Sequence, residues 1–236
     1  MRILIVAAHP DDDVLGMGGT MLKYSKNGDE VKVIFLATGI TSRKNPGHSN
    51  LPKYEINKKE SKILSKEIIH LRSQAKKACK LLSVNKVNFY DFPDNEMDTV
   101  PLLKIIKTIE KEISIFKPEK IFTHHYNDLN IDHRIAYNAT LTACRPIGIS
   151  VKEIICFEVP SSIEWNYPSK FVPNYFVNIT NQLDKKIKAM ETYKTEIKKF
   201  PHPRSSKYLK INAGKWGAVS GHSASEAFEI IRKIEK

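Results

Sequence analysis

The chain has 236 residues, 41% of them hydrophobic and 27% charged, proportions that suit one globular domain with a real core and exclude wholesale disorder. Its formal net charge is +12, and 31 of its 38 basic residues are Lys. Lys is a solvated point charge, whereas planar recognition of phosphate and bases favours Arg. With no zinc-finger, RRM or basic-arm pattern, no nucleic-acid partner is expected.

The elements can be predicted in chain order. Arg2–Ala8 is a continuous apolar run and reads as a central strand covered on both faces. A helix follows over Gly18–Asn27, and Val31–Ala37 is a second strand. Thr38 to Pro52 reads as loop, broken by Gly39, Pro46 and Gly47. Tyr54–Ser83 carries apolar residues at helical spacing. Strands are expected over Val87–Phe92, Lys120–His124 and Val151–Val159, with helices over Val100–Phe116 and Ile131–Cys144 between them. Beyond Pro160 the pattern predicts a strand over Tyr175–Ile179 and helices over Gln182–Lys199 and Ser223–Ile234. Strands alternating with helices imply βαβ units. The expected fold is therefore α/β: a Rossmann-like single domain over residues 1–236, its mostly parallel sheet flanked by helices and followed by a C-terminal extension.

No window approaches ~18 uninterrupted apolar residues, so no membrane span is expected. The Arg2–Ala8 run leads straight into His9-Pro10-Asp11-Asp12-Asp13, unlike a secretory signal. The expectation is a mature protein starting at Met1 in the cytoplasm. Cys79, Cys144 and Cys156 are too few and too far apart for a disulfide framework and read as small buried hydrophobes. The dispersed Lys read as solubilising helix faces or as attraction for an anionic substrate.

Polar residues collect where the strands end, and ligands of open parallel sheets bind at that edge. Three adjacent carboxylates, Asp11 to Asp13, repel one another unless a cation sits among them. A helix N-terminus accounts for one such Asp, but not for His9 and a run of three. His9 and Asp12 have the spacing of metal ligands on a tight turn, with Asp11 facing the cavity beside them. The segment His124-His125-Tyr126-Asn127-Asp128-Leu129-Asn130-Ile131-Asp132-His133 opens a helix after the fourth strand. Asp132 beside His133 could orient an imidazole for metal, and the bland reading is an N-capping Asp128 with surface histidines. His9, Asp12 and His133 make three ligands with a fourth position open, the pattern of a catalytic zinc site. Gly16-Met17-Gly18-Gly19 fails the dinucleotide fingerprint, because Met21 occupies the place of its third glycine. No Gly-x-Ser-x-Gly elbow is present.

His9-Pro10-Asp11-Asp12 with Gly16 and Gly18-Gly19-Thr20, joined to His125-x-x-Asp128-x-x-x-Asp132-His133-Arg134, resembles the PIG-L/LmbE-type zinc deacetylases. That family comprises N-acetylglucosaminyl-phosphatidylinositol deacetylases and bacterial relatives acting on N-acetyl sugars and glycoconjugates. The similarity extends to Thr41-Ser42-Arg43, Phe92-Pro93-Asp94-Asn95 and Ser225-Glu226-Ala227-Phe228, and so to most of the chain. The resemblance implies a divalent ion, zinc or another, on His9, Asp12 and His133. It implies Asp11 as general base and Asp132 as partner to a histidine. His125 joins the catalytic candidates, and Arg43, Asp94, His124, Asp128 and Asn130 the substrate-binding ones. Relatives usually have Glu at the position of Asp13, and many have His where this chain has Asn130, which leaves the oxyanion to His124, His125 or His222. The implied reaction is removal of the N-acetyl group from an amino sugar or glycoconjugate. The alternatives are another metal-dependent amidase, such as one for thiol-sugar conjugates, and a non-catalytic sugar- or nucleotide-binding module. Homo-oligomerisation is left open.

Overall fold

The computed structural model describes residues 1–40, 58–168 and 170–235. Arg43, Thr41, Ser42 and the start of the long helix expected from Tyr54 lie outside them. In chain order the elements are β1 (Arg2–Ala7), α1 (Asp12–Lys26), β2 (Glu30–Ala37), α2 (Lys58–Leu81), β3 (Lys86–Phe92), a 3-10 turn (Met97–Thr99), α3 (Leu102–Phe116), β4 (Lys120–His124), α4 (Ile131–Ala143), β5 (Glu153–Phe157), β6 (Tyr175–Asn178), α5 (Leu183–Met190), α6 (Ser206–Ser220) and β7 (Ser225–Lys233).

The seven strands form one sheet in the order β3-β2-β1-β4-β5-β7-β6. The first five run parallel, and β7 is antiparallel to both its neighbours. β1 shows why its run is apolar throughout. Ile3, Ile5 and Ala7 enter the core shared with α1, α2 and α5, whereas Leu4, Val6 and Ala8 enter the core shared with α3 and α4. Strand order reverses between β1, which leads toward β2, and β4, which leads toward β5. The crevice outside the C-terminal ends of such a pair is where ligands bind. His9 follows β1, and His124 ends β4.

Two regions depart from the expectation. The first helix starts at Asp12, not Gly18, with Met17 out of helical geometry at φ −148°. Asp12 and Asp13 sit in its first turn, where backbone N–H groups favour negative charge. The glycines lie inside the helix because it packs so closely. A Cβ on Gly16 would collide with the Phe157 ring, and one on Gly19 would lie 2.8 Å from Ile179.

The C-terminal third differs more. The helix expected over Gln182–Lys199 stops at Met190. The helix expected over Ser223–Ile234 is the strand β7, which fills the slot between β5 and β6. Ala and Glu favour a helix there, but Ser225 through Phe228 are buried and pair with β6, and Phe228 through Lys233 pair with β5. The helix α6, with no counterpart in the sequence reading, has Ser205 as N-cap, its side chain accepting from the Tyr208 N–H at 3.1 Å, and left-handed Gly221 as its end.

Candidate metal centre

The turn after β1 brings the first cluster together. Asp12 Oδ2 accepts the His9 backbone N–H at 2.8 Å. The same oxygen lies 3.4 Å from His9 Nδ1 and 3.3 Å from Nε2 of His133, which α4 delivers from the β4 side. Asp12 Oδ1 is buried, and no described residue hydrogen-bonds to it. These three residues can direct one atom each to a common point.

Each imidazole has its other nitrogen against a carboxylate. His9 Nε2 lies 3.0 Å from Asp132 Oδ2 and 3.1 Å from Asp94 Oδ1. His133 Nδ1 lies 3.1 Å from Asp128 Oδ1, an oxygen that also accepts from the Ser162 hydroxyl. Asp132 is fixed in turn by the backbone N–H groups of Asn95 (2.6 Å) and Met97 (3.1 Å). A carboxylate behind a histidine fixes the ring and raises its basicity toward an ion, so the arrangement suits a metal on the opposite nitrogen. Asp132 therefore pairs with His9 rather than with its chain neighbour His133, whose Nδ1 faces Asp128.

Electrostatics agree with that fit. Burial opposes protonation of His9, but Asp12, Asp132 and Asp94 outweigh it and raise its pKa well above the ordinary value. Burial likewise opposes a charge on His133, yet Asp128 and Asp12 push it up to about 9. Burial works against ionised Asp12, and His133 and His9 hold it well below the usual carboxylate range. The cluster thus demands positive charge between two imidazoles and a carboxylate, and a divalent cation answers that demand.

Two further groups of side chains come close enough to hold an ion, but their geometry serves other ends. The His124 and His133 rings are stacked at 3.9 Å with planes only 20° apart. Nitrogen lone pairs lie in the ring plane, so such a pair cannot aim both at one ion ~2.1 Å away. His124 Nε2 instead accepts the Ala8 N–H at 2.8 Å, and burial together with His133 pushes its pKa down to about 3. It is a neutral, fully buried ring behind the cluster. In the group of His9, Asp94 and Asp132, Asp132 is committed to two backbone N–H groups and to His9.

Asp11 is buried at the mouth of this cluster, with its backbone at φ +116°. Non-glycine residues adopt that region under constraint, often at functional sites. Asp11 Oδ2 accepts from Arg204 Nη1 at 3.1 Å. A cavity of about 670 Å³ opens there, lined by His9, Asp11, Asp94, Asn95 and Asn130 on the sheet side and by Lys66, His70, Glu196, Lys198 and Arg204 opposite.

The remaining candidates are placed as follows. Asp94 stands beside His9 in the cavity wall. Asn130 caps α4 by accepting the Asp132 N–H at 2.8 Å and donates to Asn95 Oδ1 at 2.8 Å. His125 turns away, its Nε2 2.8 Å from Glu229 Oε2 and its ring against Tyr126 and Phe171. His222 lies in a separate depression beside Asn178 and Gly217. Among the described residues, none of His124, His125 and His222 lines the cavity. Neither Trp216, whose indole N–H donates to Glu158 at 2.6 Å, nor Trp165, which packs edge-on against His202, lines the cavity. Sequence reasoning missed Glu196 and the role of Arg204, whose Pro201-His202-Pro203-Arg204 segment reads equally as a lid or a rigid loop.

The diacetylchitobiose deacetylase of Thermococcus kodakarensis is 24% identical over 244 residues, covering 99% of this chain and 84% of that protein. Among solved structures, the zinc-inhibited form of teicoplanin deacetylase Orf2 matches with TM-score 0.75 at 14% identity over 100% of both chains. GalB, the 4-carboxy-2-hydroxymuconate hydratase of Pseudomonas putida KT2440, matches with TM-score 0.74 at 18% identity, over 100% of this chain and 98% of that one. At such identities these structures establish the fold, and their names show that the fold serves more than one chemistry. The family model described as PIG-L, GlcNAc-PI de-N-acetylase, matches residues 4–144, a stretch holding both histidine segments, most of β1 and all of β2 to β4, and the chain belongs to that family.

Proposed function

We propose that the protein is a metal-dependent N-deacetylase that hydrolyses the acetamide of an N-acetylated amino sugar or glycoconjugate, with zinc on His9, Asp12 and His133. The observation that carries this reading is the cluster of two imidazoles. Each has one nitrogen near a shared carboxylate and the other backed by its own, beside a buried acid facing a cavity. When bound, a divalent ion supplies a Lewis acid for a carbonyl oxygen and lowers the pKa of a coordinated water toward ~7.

The chain's own groups account for the rest. Asp11 takes the proton released as water adds to the amide carbon. It returns that proton to the nitrogen as the C–N bond breaks, giving acetate and a free amine. Asp132 and Asp128 hold the two imidazoles in one tautomer and orientation. Asp94 and Asn130, with Arg43, are the groups we assign to the sugar.

The test is an amine-release screen against N-acetyl sugars, free, nucleotide-linked and lipid-linked, with and without a chelator. Equal yields of amine and acetate are expected, lost on chelation and restored by zinc, with about one ion bound per chain. Absence of amine from every substrate, or activity indifferent to the chelator, would overturn the reading. A hydratase like GalB would consume its substrate without releasing amine.

A further inference from the structure

The segment between α5 and α6 brings an arginine onto the acid of the proposed reaction. Arg204 Nη1 lies 3.1 Å from Asp11 Oδ2 and 3.2 Å from Glu196 Oε2. Its Nε donates to Ser161 Oγ at 2.8 Å. The guanidinium is thus located by two segments remote in sequence from the β1 turn, and Glu196 is buried beneath it. Asp11 is braced by this contact. Its backbone is in the left-handed region, and its carboxylate stands at a cavity mouth where rotation about two side-chain bonds would carry it off line.

Building on the deacetylase reading, we infer that Arg204 is a positioning residue acting through Asp11: its guanidinium fixes one carboxylate oxygen and thereby sets where the other points. A misplacement of about 1 Å in such a group can cost roughly 10²-fold in rate. The contact also ties the cavity's outer wall to the reacting acid, so the Thr195–Ser205 segment must be seated for Asp11 to be aligned. Substrate binding alone is a poor account, because Nη1 and Nε of Arg204 are turned to Asp11, Glu196 and Ser161.

The experiment is a double-mutant cycle on a substrate found by amine release, comparing wild type, Arg204→Ala, Asp11→Asn and the double variant, with metal content measured in each. Arg204→Ala is expected to keep its metal, to lose roughly 10²-fold in kcat and to hold KM within about twofold. The double variant should be no slower than Asp11→Asn alone, because a residue acting through another has no effect once that other is gone. Added guanidinium should restore part of the kcat of Arg204→Ala. A further slowing of Asp11→Asn by the arginine substitution would overturn the inference, as would a raised KM at unchanged kcat or a normal kcat. Should Arg204→Ala fail to fold, Arg204→Lys carries the same cycle, since it keeps the charge and loses the planar fork. A wild type that releases no amine from any substrate overturns the deacetylase reading and this inference with it, whereas an active wild type with an unaffected Arg204 variant overturns the inference alone.

Discussion

At the residue scale, charge explains both the clustering of side chains and their division of labour. Asp11 and Asp12 are adjacent, yet only Asp12 faces both imidazoles, while Asp11 is turned to Arg204. Asp11→Asn should therefore keep its metal and lose roughly 10² or more in turnover, read by metal analysis beside amine release. His133→Ala should bind no stoichiometric metal. Asp128→Asn, which weakens the support behind His133, should lower metal affinity by about 10- to 100-fold in a chelator competition, with the fold intact by circular dichroism. The ligand candidates are legible in the sequence because buried His and Asp at strand ends have few other uses. The pairing is not legible. Successive helix positions point about 100° apart, so His133 faces Asp12 while Asp132 reaches across to His9.

At the element scale, α1 is held by close approach. Gly16 has no room for a side chain between Phe157 and the Glu158 carbonyl. Gly16→Ala should destabilise the protein by about 1–3 kcal/mol, measured by denaturant unfolding, because the helix must lift from the end of β5. The junction of β5 with α6 titrates. Burial raises the pKa of Glu158, offset only in part by hydrogen bonds from Asn212 (2.7 Å) and Trp216 (2.6 Å). A carboxyl whose folded-state pKa exceeds its unfolded value supports the fold while protonated and loses that support as the pH rises through the folded-state value. Glu158→Gln keeps the accepting oxygen without the charge. It should raise Tm relative to wild type at pH 8, and the advantage should shrink toward pH 4. Strands β1 to β5 and helices α3 and α4 were legible because each segment's own periodicity agrees with its place. β7 was not, because its Glu, Ala, Arg and Lys favour a helix while its Phe and Ile suit a strand, and pairing with β5 and β6 decides between them. The spacing of Leu209, Ala213, Trp216 and Gly217 on the buried face of α6 was a readable helical signal.

At the scale of the whole molecule, the proposed site links ion binding to folding. The residues proposed as ligands come from both sides of the sheet's switch point, so an unfolded chain offers no equivalent site. Chelation should lower Tm, and added zinc should raise it by an amount that grows with the logarithm of free ion concentration, followed by thermal unfolding. No helix among the described residues is long and apolar enough to cross a membrane. The fold class was legible from strand and helix alternation alone, whereas the strand order through β7 and β6 depends on pairings that sequence spacing does not encode.

One buried ion pair carries a dynamic consequence. Glu226 on β7 accepts the amide protons of Gly19 (2.9 Å) and Thr20 (2.7 Å) and pairs with Lys186 at 2.6 Å. Those two amides sit just past the Met17 kink, so part of their protection comes from the sheet beneath rather than from their own helix. In deuterated solvent they should exchange with the amides of Ser225 to Phe228 and not with the rest of the first helix. A label arriving at Gly19 would then report that a strand more than two hundred residues along the chain had let go.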